Sequence, residues 1–153
     1  MAAGAFQTYD LHAPHAPARA RQHLRRFARD AAAHGTGISD EAQTDAALVV
    51  SELVDNAVRH AGGTITLALG LTPDGLSIEV SDESAVPPSL HPPDWAGEGG
   101  FGWGLVTRLS SHVTVTLHAR GKTIHACVPL LHGPASTRPE KVRTSRSDSA
   151  PLE

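Results

Sequence analysis

The chain has 153 residues, of which 40% are hydrophobic, and a formal net charge of −3. This length suits one domain with one core and leaves no space for a second catalytic domain. The slightly acidic charge excludes a global basic field of the kind that attracts nucleic acid, so we expect no direct nucleic-acid partner.

The cellular location is predicted from features that the sequence lacks. No charged N-terminal lead precedes an apolar run, and no eighteen apolar residues stand together, so we expect neither export nor a membrane partner. Cys127 is the single cysteine, which excludes an internal disulfide and agrees with a reducing compartment. The ten histidines lack metal-ligand spacing and are interpreted as scattered surface residues. These features favour a cytoplasmic protein.

Hydrophobic periodicity predicts the elements in chain order. A short strand over 6–11 precedes a helix that Gly35 closes, and a second helix begins near Ser39 or Asp40, where Asp40 and Gln43 resemble a capping box. An antiparallel hairpin over 65–80 follows. A loop over 83–98 has four prolines and no periodicity, which indicates a lid or binding loop. A short helix after the glycines and two strands, 112–119 and 123–130, complete the prediction.

Two segments of the chain have unusual composition. Residues from 133 onward are rich in Ser, Pro, Arg and acidic groups with little to bury, so we expect the domain to end at residue 132 and 133–153 to be a disordered tail. The first helix carries an arginine run, which is either a surface for an acidic partner or the solvent face of an amphipathic helix. Its members are Arg19, Arg21, Arg25, Arg26 and Arg29.

The second helix carries a polar stripe beside its buried face. Glu52, Asn56 and His60 follow one another at four-residue spacing, which places them on one side of the helix next to apolar Leu53 and Ala57. An asparagine oxygen suits one position around Mg²⁺, and a carboxylate one turn earlier suits a general base. The alternative is an ordinary amphipathic helix whose polar residues are solvated.

Asp82 directly follows the predicted strand 76–81. A carboxylate at a strand end can accept a hydrogen bond from the 6-amino group of adenine, whereas guanine presents a carbonyl there. An unpaired buried polar group costs about 1–3 kcal/mol, so such a site prefers adenine. Aspartate at a strand end is also common in ordinary turns, and that interpretation stays open.

A glycine-rich segment precedes the short helix. Five glycines lie between Gly97 and Gly104, and glycine lets backbone N–H groups approach anionic oxygens at a helix N-terminus. This pattern is typical of a phosphate cradle, although a flexible hinge has the same composition. A dinucleotide-binding strand-turn-helix is excluded because the segment follows a long loop. A Walker motif at 121–123 is excluded because Thr116 replaces its leading glycine.

In this order, 49–61, 80–84 and 99–105 resemble the three successive boxes of the GHKL (Bergerat-fold) ATPases, most closely the small bacterial anti-sigma-factor serine/threonine kinases. The resemblance covers roughly residues 24–130, with Gly121-Lys122-Thr123 as the final element. It implies a two-layer α/β sandwich, with a mixed, largely antiparallel sheet and helices on one face. Residues 1–132 are then a histidine-kinase-like ATP-binding domain.

The resemblance also implies the ligands, ATP and Mg²⁺, and the residues that hold them. Asn56 matches the Mg²⁺-ligating asparagine, Glu52 the proposed general base and Asp82 the aspartate that reads the adenine amine. Thr123 matches the hydroxyl that supports this aspartate through water. The second glycine box, which covers the phosphates, contributes Gly100, Gly102 and Gly104. The chain departs from the family pattern at Ser84, where glycine is usual, and at Trp103 and Gly104, where small aliphatic residues are usual.

Two functions follow from the resemblance and stay open. In the first, the protein sequesters a sigma factor and phosphorylates a serine of an anti-sigma-factor antagonist, with a possible homodimer as in the family. In the second, it is a non-enzymatic module whose partner binding depends on ATP. A sensor histidine kinase is disfavoured because the chain has no room for dimerisation helices.

Overall fold

The computed structural model describes residues 6–60, 63–86, 102–130 and 143–146. These residues form one six-stranded sheet and three helices. In chain order the elements are β1 (Gln7–Leu11), α1 (Ala16–Ala33), α2 (Asp40–His60), β2 (Ile65–Thr72), β3 (Gly75–Asp82), α3 (Gly102–Leu109), β4 (His112–His118), β5 (Gly121–Val128) and β6 (Arg143–Arg146).

The sheet is mixed, and its strand order is β1-β2-β3-β5-β4-β6. The neighbours β1–β2, β2–β3, β3–β5 and β4–β5 pair antiparallel, whereas β4 and β6 pair parallel. In the β2–β3 hairpin Leu69 lies opposite Ile78, and Ile78 in turn lies opposite Ala126 of β5. The two central strands β3 and β5 therefore run side by side in opposite directions. The last residue of β3, Asp82, lies opposite Lys122 near the start of β5.

The helices form the second layer. α1 packs on α2, and α2 packs on both central strands, β3 and β5. Because side chains alternate across a strand, Leu76, Ile78 and Val80 share one side of β3, where they are buried with the apolar stripe of α2. That stripe consists of Ala42, Ala46, Val49, Val50, Leu53, Val54 and Ala57. The expected two-layer α/β sandwich is confirmed.

The start of α2 differs in detail from the predicted capping box. Ser39 is the capping residue, because its Oγ accepts a hydrogen bond from the backbone N–H of Ala42 at 3.1 Å. The Gln43 side chain donates to the carbonyl oxygen of Ile38 at 2.8 Å. Asp40 is the first helical residue, where a carboxylate favours the positive end of the helix dipole. The cap therefore lies one residue earlier than the predicted Asp40–Gln43 pair.

The connection between β4 and β5 is tighter than the sequence indicated. The turn consists of Ala119 and Arg120 alone, so Gly121 and Lys122 belong to β5 instead of to a loop. Gly121 has a φ of +137°, and a Cβ at this position would overlap the carbonyl oxygen of Asp82. Glycine is therefore required here, because a residue without a Cβ allows the start of β5 to lie against the end of β3.

β6 lies within the segment that the sequence assigned to a disordered tail. Residues 143–146 pair with β4, so that Thr144 lies opposite Val115. The remainder of 133–153 lies outside the described residues, and for it disorder stays a prediction. None of the helices in the described part of the chain is both long and apolar enough to cross a membrane.

Candidate functional site

Glu52 and Asn56 lie on α2 at the border of the core. Both residues are half-buried, whereas their neighbours Leu53 and Ala57 are fully buried. The structure thus places the predicted polar stripe beside the apolar face of the helix. His60, the next residue of the stripe, is exposed at the end of α2. Glu52 and Asn56, and not His60, are therefore the residues of the stripe that the helix holds at the border of the core.

The carboxylate of Glu52 contacts the first residue of α3. A Cβ at Gly102 would overlap Glu52 Oε2, so the glycine permits this close approach. Burial raises the pKa of Glu52 above its ordinary 4.5, and the nearby carboxylate of Asp55 raises it further, while Arg59 lowers it. A raised pKa makes a carboxylate a better proton acceptor, which suits a general base.

Asn56 presents a buried acceptor without a donor. Its Oδ1 has no hydrogen-bond partner, and in the described residues only Ser110 Oγ shares this property among buried side-chain polar atoms. An orphaned buried acceptor is unfavourable unless a ligand satisfies it. The described part of the chain has no cluster of three or more His, Cys, Asp or Glu side chains suited to a metal. A cation here would therefore combine this amide oxygen with ligand oxygens and water, a donor set that Mg²⁺ accepts.

Asp82 is buried at the end of β3, as predicted, but its carboxylate is engaged. Lys122 Nζ lies 2.9 Å from Oδ1 and 2.8 Å from Oδ2, and both side chains are almost completely buried. The backbone N–H of Ser84 also donates to Oδ1, at 2.8 Å. This second hydrogen bond closes a local turn of a kind that is common after strands. Its donor, Ser84, occupies the position at which the family usually has glycine.

The structure places Lys122, rather than Thr123, beside Asp82. Thr123 projects from the opposite face of β5, where its Oγ1 lies 2.9 Å from Ser81 Oγ and 3.2 Å from His118 Nε2. Lys122 shares its side of the strand with the buried residues Ile124 and Ala126. The structure therefore does not bring the Thr123 hydroxyl together with the Asp82 side chain.

Strand alternation is the signal that identifies Lys122 from sequence. In β5 the apolar residues Ile124, Ala126 and Val128 recur every second position, so the same face continues to residue 122 and not to residue 123. Sequence reasoning missed this because the strand was predicted to begin at Thr123. Extending it by two residues gives the observed orientation.

Part of the predicted glycine box is described. Gly102 and Gly104 lie in the first turn of α3, and a Cβ at Gly104 would meet no atom within contact distance. Trp103 packs against the core cluster. Gly100 lies outside the described residues, as does most of the predicted lid over 83–98. Of the predicted site residues, the structure thus shows Glu52 and Gly102 in contact.

We expect Asp55→Asn to lower the pKa of Glu52. The substitution removes the like charge that raises this pKa, and it also frees Arg59, which pairs with Asp55 at 3.0 Å, to act as a cation near Glu52. Both changes favour the ionised carboxylate. Titration of the Glu52 side-chain carboxyl by ¹³C NMR measures the shift. Asp74→Asn makes the same charge change in the exposed β2–β3 turn, and an equal shift in both variants contradicts the local cause.

Comparison with known protein families identifies the family of the chain. Residues 13–128 match the sequence model of a family described as the histidine kinase-like ATPase domain. The match covers well over half of the chain and includes Glu52, Asn56, Asp82 and Lys122. A search of curated protein sequences finds no significant match.

Proposed function

Because the chain belongs to the histidine kinase-like ATPase domain family, which binds ATP, we propose that it is a regulatory protein kinase that transfers the γ-phosphate to a serine or threonine of a partner protein. The observation that carries the proposal is the contact of the Glu52 carboxylate with Gly102. Gly102 opens α3, and the N-terminus of a helix is where backbone N–H groups and the helix dipole favour phosphate. A general base at this point would lie beside the γ-phosphate of bound ATP.

Each site residue has a defined task in this mechanism. Glu52, whose pKa is raised by burial, accepts the proton of the attacking hydroxyl as its oxygen bonds to the γ-phosphorus and ADP leaves with the bridging oxygen. Asn56 offers its orphaned Oδ1 to Mg²⁺, which supplies charge neutralisation on the phosphates when Mg-ATP is bound. Asp82 is the buried acceptor for the 6-amino group of adenine. Gly102 leaves the space that the Glu52 carboxylate needs.

The partners are proposed from the family resemblance. In that proposal the substrate is an anti-sigma-factor antagonist, the sequestered protein is a sigma factor, and the kinase acts in the bacterial cytoplasm, with homodimerisation as in the resembling proteins. The exposed arginines of α1 add a positively charged surface for an acidic partner segment. They are Arg19, Arg25, Arg26 and Arg29, whereas Arg21 is half-buried and donates to Ser51 Oγ at 3.1 Å.

Transfer of labelled γ-phosphate from Mg-ATP to proteins of the source organism's extract tests the proposed function. We expect one labelled small protein with the wild type and none with Glu52→Ala or Asn56→Ala. Glu79→Ala is the matched control, because Glu79 is a half-buried carboxylate of β3 on the side away from Asp82. Absence of labelling with the wild type, together with retained ATP binding, contradicts the kinase and supports an ATP-gated binding module instead.

A further inference from the structure

Lys122 is a buried charge to which the proposed mechanism gives no task. Its side chain has 0% exposure and lies at the start of β5, against the residue proposed to read adenine. A lysine is rarely buried without a specific partner, because removing an ammonium group from water is costly. Lys122 has that partner in Asp82, and the hydrogen-bonding capacity left over by the pair defines what else it can bind.

The Asp82 carboxylate retains one acceptor position. A carboxylate has about four lone-pair positions. Two contacts from Lys122 Nζ, one on each oxygen, and one from the Ser84 N–H on Oδ1 fill three of them. The remaining position is on Oδ2, which accepts from Lys122 alone among the described residues.

The Lys122 ammonium group retains one weakly used donor. It has three N–H donors, and the two oxygens of the Asp82 carboxylate lie too close together to take two of them, so they share one. A second donor has only a long contact of 3.5 Å with the carbonyl oxygen of Ser84. The pair therefore offers one acceptor and at least one donor side by side, with the Nζ and Oδ2 atoms 2.8 Å apart.

We propose that Lys122 donates a hydrogen bond to ring nitrogen N1 of adenine while Asp82 accepts one from the 6-amino group. The proposal rests on the proposed ATP binding. The edge of adenine presents one donor, the 6-amino group, and one acceptor, N1, both bonded to C6, which is the complement of what the pair offers. In this arrangement Lys122 is a specificity-determining residue that contacts the base directly, in addition to being the counter-ion of Asp82.

The same count of free donors and acceptors on Asp82 and Lys122 disfavours guanine. The guanine edge carries two neighbouring donors, N1–H and the 2-amino group, and one acceptor, O6. Asp82 has a single free acceptor position, so one guanine donor stays unpaired when the base is buried. The preference for adenine over guanine thus depends on the number of free acceptor positions on Asp82 as well as on their kind.

Equilibrium binding of ATP and of 1-deaza-ATP, in which carbon replaces N1, tests the assignment in the wild-type protein. We expect 1-deaza-ATP to bind about ten-fold or more weakly, because it lacks the acceptor for a charged donor. In Lys122→Met the two nucleotides should bind with similar affinity. Equal binding of both nucleotides to the wild type, or the same ten-fold difference in Lys122→Met, overturns the assignment alone. Failure of both nucleotides to bind the wild type overturns the proposed ATP site as well.

A second measurement needs no substitution at residue 122, which matters if Lys122→Met does not fold. The sequence contains two lysines, Lys122 and Lys141, so ¹⁵N-lysine labelling gives two ammonium signals, and Lys141→Arg assigns them. We expect ATP to shift the Lys122 signal and 1-deaza-ATP to shift it much less. An equal shift with the two nucleotides shows that the ammonium group does not contact N1, and this outcome overturns the assignment.

Discussion

Lys122→Met should lower the free energy of unfolding by about 3–5 kcal/mol, because it leaves the Asp82 carboxylate buried without its counter-ion. Both members of the pair have almost no exposure in the free protein, 0% for Lys122 and 1% for Asp82, so solvent compensates little for the lost ammonium group. The contact of the Ser84 N–H with Oδ1 remains, but it fills none of the positions that Lys122 had filled.

The double variant Asp82→Asn/Lys122→Met separates this cost from loss of packing. Removing both charges from a buried pair is far less harmful than removing one, so the double variant should be more stable than Lys122→Met alone. Urea unfolding of the wild type, the single variants Asp82→Asn and Lys122→Met, and the double variant measures the coupling free energy between the two residues. Strictly additive losses, with the double variant the least stable of the four, contradict a paired buried charge. Because the pair is shielded from solvent, we expect little change in coupling with added salt.

Asn56→Leu should change stability and ligand binding in opposite directions. The substitution removes a buried oxygen that has no hydrogen-bond donor, so the free protein should gain about 1 kcal/mol of stability. The same oxygen is the proposed Mg²⁺ ligand, and its loss should weaken Mg-ATP binding about ten-fold or more. ATP binding in the presence of a chelator should change much less.

Ser110→Ala is the matched control for this prediction. Ser110 Oγ is the other orphaned buried atom of the described residues, and it lies after the last turn of α3, at the end of the helix away from Gly102. This variant should share the gain in stability without the loss of Mg-ATP affinity. Chemical unfolding and calorimetric titration, each with and without Mg²⁺, measure the two effects. A destabilised Asn56→Leu with unchanged Mg-ATP affinity is the opposite of the expected result.

Most of the fold could be predicted from hydrophobic periodicity. The alternation in 65–71 and 76–80 identified the β2–β3 hairpin, and the helical spacing of Val49, Leu53 and Ala57 identified α2. The cap at Ser39 and the start of β5 were displaced by one or two residues, because terminal positions of an element carry little periodic information. β6 was not predicted because residues 143–146 have no hydrophobic pattern, and its pairing depends on the backbone of β4.

The site was predicted in part, for a related reason. Helical spacing is enough to place Glu52 beside Asn56, and a strand end is enough to place Asp82. Neither pattern shows that Asp82 is already held by a lysine on a neighbouring strand, since strand order is not readable from local sequence. The family resemblance assigned the support of Asp82 to Thr123, whose side chain lies on the other face of the sheet.

The parallel strand β6 has a practical consequence for the choice of domain boundary. A truncation after residue 132, where the sequence places the end of the domain, would delete β6 and expose the hydrogen-bonding edge of β4. An unpaired edge recruits another strand, so the shortened protein would be prone to edge-to-edge association that is unrelated to its physiological assembly. The oligomeric state of such a fragment would reflect the exposed edge of β4 and not the assembly of the full chain. The chain should therefore be kept through residue 146 when its self-association is studied.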